Sequence, residues 1–236
     1  VEPQSETVWR QADKYHVPRI AFVNKMDKTG GDFFMTMDSI HKRLSPDAVA
    51  IQYPIGKEGA FNCIVDLVEM KAYTFDGQHG EIIVDMPIPA DIQDEVDQYH
   101  AMLVEKASEY DDDLMGKFLE GQQPTPAELK AALRKATIAS KLYPVLCGTA
   151  LKNKGVQLVL NAVLDYLPSP LDLPPIQATD EKNAAVDVKP VDSEPFCAIA
   201  FKIASDPFVG KLVFFRMYSG TLKSGSYILN ASTGKK

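Results

Sequence analysis

Apolar positions along this chain switch rhythm several times, and each switch predicts an element. Over residues 7–15, Val8, Ala12 and Tyr15 recur at steps of four and three, the spacing of one helix face. "PRIAFV" then runs apolar without alternation, as a strand buried on both faces of a parallel sheet does. The chain turns at Gly30-Gly31, and Asp32 is a residue type that caps helices. Phe33, Met37, Ile40 and Leu44 follow at steps of four, three and four, an amphipathic stripe. Helix, strand, turn and helix over residues 8–44 predict an α/β layer.

Past Ser45-Pro46 the rhythm turns to strand. "AVAIQYPIG", "FNCIVDLVEMKAYTF" and, after Asp76-Gly77, "GEIIVDM" predict a small antiparallel meander. "IPADIQDEVDQYHAMLVEKASEY" predicts one long helix with Ile92, Val96, Tyr99, Leu103 and Tyr110 along one side. Asp111-Asp112-Asp113 reads as a solvated turn or helix start. Thr125-Pro126-Ala127-Glu128 carries a capping box with proline in the first turn, starting a helix that runs to about Ser140. "KLYPVLCGTA" returns to a buried strand over residues 143–147, and a helix over 156–167 stops at Pro168 and Pro170.

Strand, polar turn and helix thus occur twice, on either side of a long segment. The expected organisation is an α/β domain in two parts, residues 1–45 and 142–170, with an inserted α+β subdomain at 46–141. A proline-rich linker is expected at 171–195. The short strands of 196–236 predict the start of an all-β barrel, with Phe201, Phe208, Phe214, Phe215 and Tyr218 in its core. The opening Val1-Glu2-Pro3 reads as a loop, and the whole reads as an interior piece of a longer protein.

Composition narrows the class. The chain is 45% hydrophobic and 24% charged, as soluble globular proteins are. A net charge of −7 argues against a chain-wide basic footprint for nucleic acid. Cys63, Cys147 and Cys197 sit far apart in apolar runs, which predicts buried free thiols and a reducing cytoplasm. No apolar run approaches the roughly 18 residues of a membrane span. His16, His41, His79 and His100 share no metal-ligand spacing, so no metal site is expected, and Trp9 reads as packing.

The candidate chemistry lies where the buried strands end. In open α/β sheets ligands bind beyond the carboxyl ends of strands, and Asn24-Lys25-Met26-Asp27 lies at such an end. A carboxylate there accepts two donors from one base edge. Guanine offers N1–H and its 2-amino group side by side, whereas adenine presents an acceptor, so discrimination on the order of 10⁴ is available. Lys25 can lay its methylene stem over a base plane. Asn24 can tie the loop to its neighbours, and Met26 is expected to point into the core. Gly148-Thr149-Ala150 likewise follows a buried strand and precedes a helix, and the Ala150 N–H is expected to meet the base carbonyl.

"VEPQSETVWRQADKYHVPRIAFVNKMDKTGGDF", "PVLCGTALKNKGVQ" and "DPFVGKLVFFRMYSGTLKSGS" resemble the elongation factor G family of bacterial translational GTPases, and the resemblance runs over essentially the whole chain. It implies the C-terminal part of a P-loop-type GTPase domain with its inserted subdomain, followed by the start of the second, β-barrel domain. Asn24, Lys25, Met26 and Asp27 match one guanine loop of that family. Thr149, Ala150 and Leu151 match the other, where the family often has serine at the Thr149 position. GTP and GDP are the implied ligands. The implied parent is a monomeric cytoplasmic GTPase whose hydrolysis drives movement of tRNA and mRNA on the ribosome, with rRNA and ribosomal proteins as partners. A ribosome-protection or recycling paralogue, or a non-catalytic ribosome-binding module, are the alternatives. The 236 residues contain no G-x-x-x-x-G-K-[ST] loop. The phosphate cradle, the magnesium ligand and the water-positioning histidine are therefore expected before Val1. The chain is expected to contain no catalytic residue and to bind guanine nucleotides weakly without hydrolysing them.

Overall fold

Proline at the first turn of a helix loses no hydrogen bond, and helix α1 (Pro3–Lys14) begins on one. The opening residues are thus already helical from Pro3, not a loop. A computed structural model describes residues 1–180 and 183–236, which form two units, Val1–Pro168 and Ser169–Lys236. In chain order the first unit continues with β1 (Ala21–Val23), α2 (Phe33–Arg43), β2 (Ala48–Ala50), β3 (Gln52–Ile55), β4 (Cys63–Asp66), β5 (Lys71–Asp76) and β6 (Ile82–Met86). Then come α3 (Gln93–Ser108), α4 (Asp112–Leu119), α5 (Pro126–Ile138), β7 (Tyr143–Cys147) and α6 (Val156–Tyr166).

A three-stranded parallel sheet has the order β1-β7-β2, and its central strand is buried at every residue. A four-stranded antiparallel sheet, β3-β4-β5-β6, is the expected meander. The boundary drawn at residue 46 needs correction, because β2 joins the parallel sheet and pairs Ala48 with Tyr143 and Ala50 with Val145. One residue, Ile51, separates the two sheets. Its N–H donates to Val145 O at 3.1 Å, and its carbonyl accepts from Leu67 N at 3.0 Å. Next to it Gln52, 2% exposed, accepts the Cys147 N–H on Oε1 at 3.0 Å. "AVAIQYPIG" is one unbroken apolar run, so nothing in its pattern marks the change of sheet.

Both sheets and their helices share one core. The stripe of α2 buries Phe33, Met37 and Ile40, and Asp32 caps the helix by accepting Met35 N at 3.0 Å. The Thr125–Glu128 capping box is formed at α5, which buries Leu129 and Leu133 completely, each worth about 1.5–3 kcal/mol. Asp111 caps α4 and pairs with Lys135, so the acidic triplet is a helix start. The start of the long helix expected from Ile88 is instead a 3-10 turn, Ala90–Ile92, followed by α3. Trp9 packs edge-on against Tyr143, with the Arg19 guanidinium over both rings.

The second unit differs more from expectation. Inside the presumed linker, β8 (Ile176–Thr179) and β9 (Ala185–Val188) form an antiparallel pair. β10 (Cys197–Asp206) and β11 (Gly210–Ser219) form a second. Among the described residues these are two separate two-stranded ladders. A lone ladder has no facing layer, so Phe201 and Phe208 stand 68% and 95% exposed instead of filling a core. Cys63 and Cys147 are buried, Cys197 is half-buried, and all three are free. No helix of the described residues is long and apolar enough to cross a membrane.

Candidate functional site

Strands β1 and β7 end together, Val23 opposite Cys147, so the loops that follow them emerge side by side. Gly148 N–H donates to Val23 O at 3.0 Å, and Gly148 O accepts Met26 N at 3.2 Å. Only glycine fits at 148, since a Cβ would lie 2.4 Å from Lys154 O and 2.8 Å from the Phe22 ring. The two loops are then laced by side chains. Asn24 Oδ1 accepts the N–H of Lys25 at 2.8 Å and of Ala150 at 2.9 Å. The Thr149 hydroxyl donates to Asp27 Oδ1 at 3.1 Å and accepts the Asp27 N–H at 3.3 Å.

Asp27 is the most enclosed charge of the group, its side chain 5% exposed, and Lys152 Nζ lies 2.8 Å from its Oδ2. The hydrogen bond from Lys152 holds the Asp27 carboxyl below its ordinary range. The Thr149 hydroxyl acts in the same direction, and burial opposes both. Asp27 is therefore an ionised, acceptor-only group at neutral pH. Lys25 turns the first loop with φ +64°, a left-handed conformation that is costly for any residue with a Cβ. The second loop closes through reciprocal Thr149–Lys154 backbone bonds, which Asn153 (φ +54°) and Gly155 (φ +85°) permit. The connection between β3 and β4 braces the first loop from outside, with Glu58 Oε1 accepting Gly30 N at 2.8 Å and Lys57 3.0 Å from Asp32.

The fold thus gathers Asn24, Asp27, Thr149 and Ala150 into one network. Met26 is buried, 2% exposed, while Lys25 and Leu151 project into solvent beside the network, Leu151 at 90% exposure. Two details depart from expectation. The Ala150 N–H is engaged by Asn24 and does not stand open. Lys152 is an unforeseen member. It follows Thr149 by three residues across the 3-10 turn Ala150–Lys152, and residues so spaced in that geometry stack on one side. That spacing was the available signal. Of the histidines, His41 and His100 bond the Ala48 and Leu67 carbonyls. Among the described residues no group of three His, Cys, Asp or Glu side chains could hold a metal ion.

Polar loops at the carboxyl ends of adjacent parallel strands, with an ionised carboxylate enclosed between them, define an α/β domain of the nucleotide-binding class. The model of the elongation factor Tu GTP binding domain family matches residues 1–169, and the chain belongs to that family of GTP-binding translation factor domains. A crystal structure of a protein from Thermus thermophilus is similar, with a TM-score of 0.74 and 27% sequence identity. The similarity covers 96% of this chain and 31% of that one, so the chain spans less than a third of the length of the protein it matches.

Proposed function

We propose that the Asn24–Asp27 and Thr149–Leu151 loops are the guanine reader of a translational GTPase of the elongation factor G type. The observation that carries the reading is the Asp27–Thr149 pair, which joins loops 122 residues apart in sequence and holds an ionised carboxylate between them. Asp27 accepts guanine N1–H and the 2-amino group. Thr149 fixes the carboxylate, Asn24 staples the two loops, and Met26 anchors the first in the core. Lys25 and Leu151 flank the base plane with exposed apolar stems. Ala150 N–H turns from Asn24 to the base carbonyl when the base arrives.

In this reading the parent protein, in the cytoplasm, couples GTP hydrolysis to movement of tRNA and mRNA on the ribosome. The segment between β2 and β7, about residues 52–141, is the insertion typical of that branch, and the second unit is part of its β-barrel domain. Phosphate and magnesium contacts come from outside these residues, so the chain by itself binds guanine nucleotides weakly and does not hydrolyse GTP.

The test is a base swap. Asp27→Asn replaces an acceptor by an amide that can donate to the 2-oxo group of xanthine. Titrating the chain with GMP and XMP by NMR should show guanine preferred by the wild type and xanthine by the variant. Survival of guanine preference in Asp27→Asn would remove Asp27 from the role.

A further inference from the structure

The base-reading carboxylate is already fully engaged by the chain itself. Asp27 Oδ1 takes the Thr149 hydroxyl, and Oδ2 takes the Lys152 ammonium at 2.8 Å. The two oxygens are the same ones that a guanine edge needs. Thr149 is 2% exposed and held on both sides of its loop by backbone bonds, so it cannot leave without unmaking the turn. Lys152 is different. Its side chain is 55% exposed, it ends the 3-10 turn, and Asp27 is its ion-pair partner among the described residues. Its ammonium can swing into water with the fold intact.

We propose that Lys152 is an internal competitor for the base: its ammonium stands in for the guanine donors on Asp27, and guanine enters by displacing it. This rests on the base-reader assignment above. It adds a residue that neither loop motif contains and sets what that residue does. A buried carboxylate left bare between nucleotides would be costly. Lys152 keeps it paired while the site is free, and the exchange conserves hydrogen bonds only for a base that brings its own donors. Adenine brings an acceptor to the same edge and cannot replace the ammonium. The cost of displacement is that of a half-exposed ion pair, so it lowers guanine affinity by about two- to fivefold.

The experiment uses GMP and AMP with the whole chain, reading the Asp27 and Ala150 amide signals by NMR and taking affinities from the initial slopes. Lys152→Met removes the charge and keeps the stem, and Lys152→Arg keeps the competitor. GMP should bind Lys152→Met about two- to fivefold more tightly than wild type, with Lys152→Arg near wild type and AMP below GMP throughout. Unchanged or weaker GMP binding in Lys152→Met, with guanine preference intact and dependent on Asp27, would overturn the competitor alone. Equal response to GMP and AMP in the wild type would overturn the base reader and the competitor with it. A separate readout needs no nucleotide. Asp27 faces Lys152, Lys28 and the Thr149 hydroxyl, and its carboxyl ¹³C titration should move to higher pH in Lys152→Met and stay in place in Lys152→Arg. No movement in Lys152→Met would mean that the pair does not form in solution.

Discussion

Replacing Lys25 by glycine should make the first unit more stable and the base site worse, and the two effects have separate causes. Lys25 sits at φ +64° with its N–H on Asn24 Oδ1 and its carbonyl accepting Lys28 N at 3.0 Å, so both bonds are made by backbone that glycine also supplies. Its side chain is exposed. Holding a Cβ in the left-handed region costs about 1–2 kcal/mol, which glycine does not incur. Glycine gives back about 0.4–1 kcal/mol through the greater freedom of the unfolded chain. The net is a gain of about 0.8 kcal/mol at mid-range, or about 2–3 °C in Tm for a unit of this size. Lys25→Ala is the control, since it keeps the strain and loses the stem. Thermal and urea melts of the three proteins should rank glycine highest, with alanine within about 0.5 kcal/mol of wild type. Both variants should bind GMP more weakly than wild type, because neither has a stem to lay over the base. A glycine variant that melts no higher than wild type, or an alanine variant that gains as much, would refute the claim that this loop stores strain for a side chain's sake.

Two further outcomes test the frame around the site. Gln52→Leu leaves the Cys147 N–H buried without a partner, and the urea midpoint should drop by the equivalent of about 1–3 kcal/mol, with faster hydrogen exchange at Cys147. Equal stability would mean that the Gln52 bond contributes nothing at the junction of the sheets. The Lys117 ammonium, helped by the Thr125 hydrogen bonds, draws the Glu128 carboxyl down from 4.5 to about 2. The folded-state value is lowered, so the contribution of Glu128 is present above about pH 4.5 and is lost as pH falls toward 2. Glu128→Gln should flatten that part of the acid-stability curve, and an unchanged slope would count against the capping box as its source.

Elements whose signal is local were legible in the sequence. Thr125 and Glu128 sit three apart before an apolar run, and Phe33, Met37 and Ile40 keep one helical face, so α5 and α2 declared themselves. The loops that end β1 and β7 were legible as well, because each buried run stops at polar residues. What escaped is decided by partners distant in sequence. Nothing local separates Ala48–Ala50, which belongs to β7, from Gln52–Ile55, which belongs to β4. Alternating aromatics in β10 and β11 announce two faces and not whether anything covers them. Lys152 looks like any surface lysine until the 3-10 turn brings it to Asp27.

The single-residue passage at Ile51 also fixes an order of events. β1 has no partner until β7 exists, since Ala21, Phe22 and Val23 pair with Val145, Leu146 and Cys147. β2 waits for the same strand, although β3, β4, β5 and β6 pair only with near neighbours in the chain. Local ladders close early and distant ones late. On a growing chain the antiparallel sheet can form while both edges of the parallel one are still single strands, and the arrival of residues 143–147 completes both edges together. A nascent chain stopped at about residue 140 should therefore protect the β4–β5 amides from exchange and leave Ala21 to Val23 open, with the base loop unformed until the last strand threads between its two neighbours.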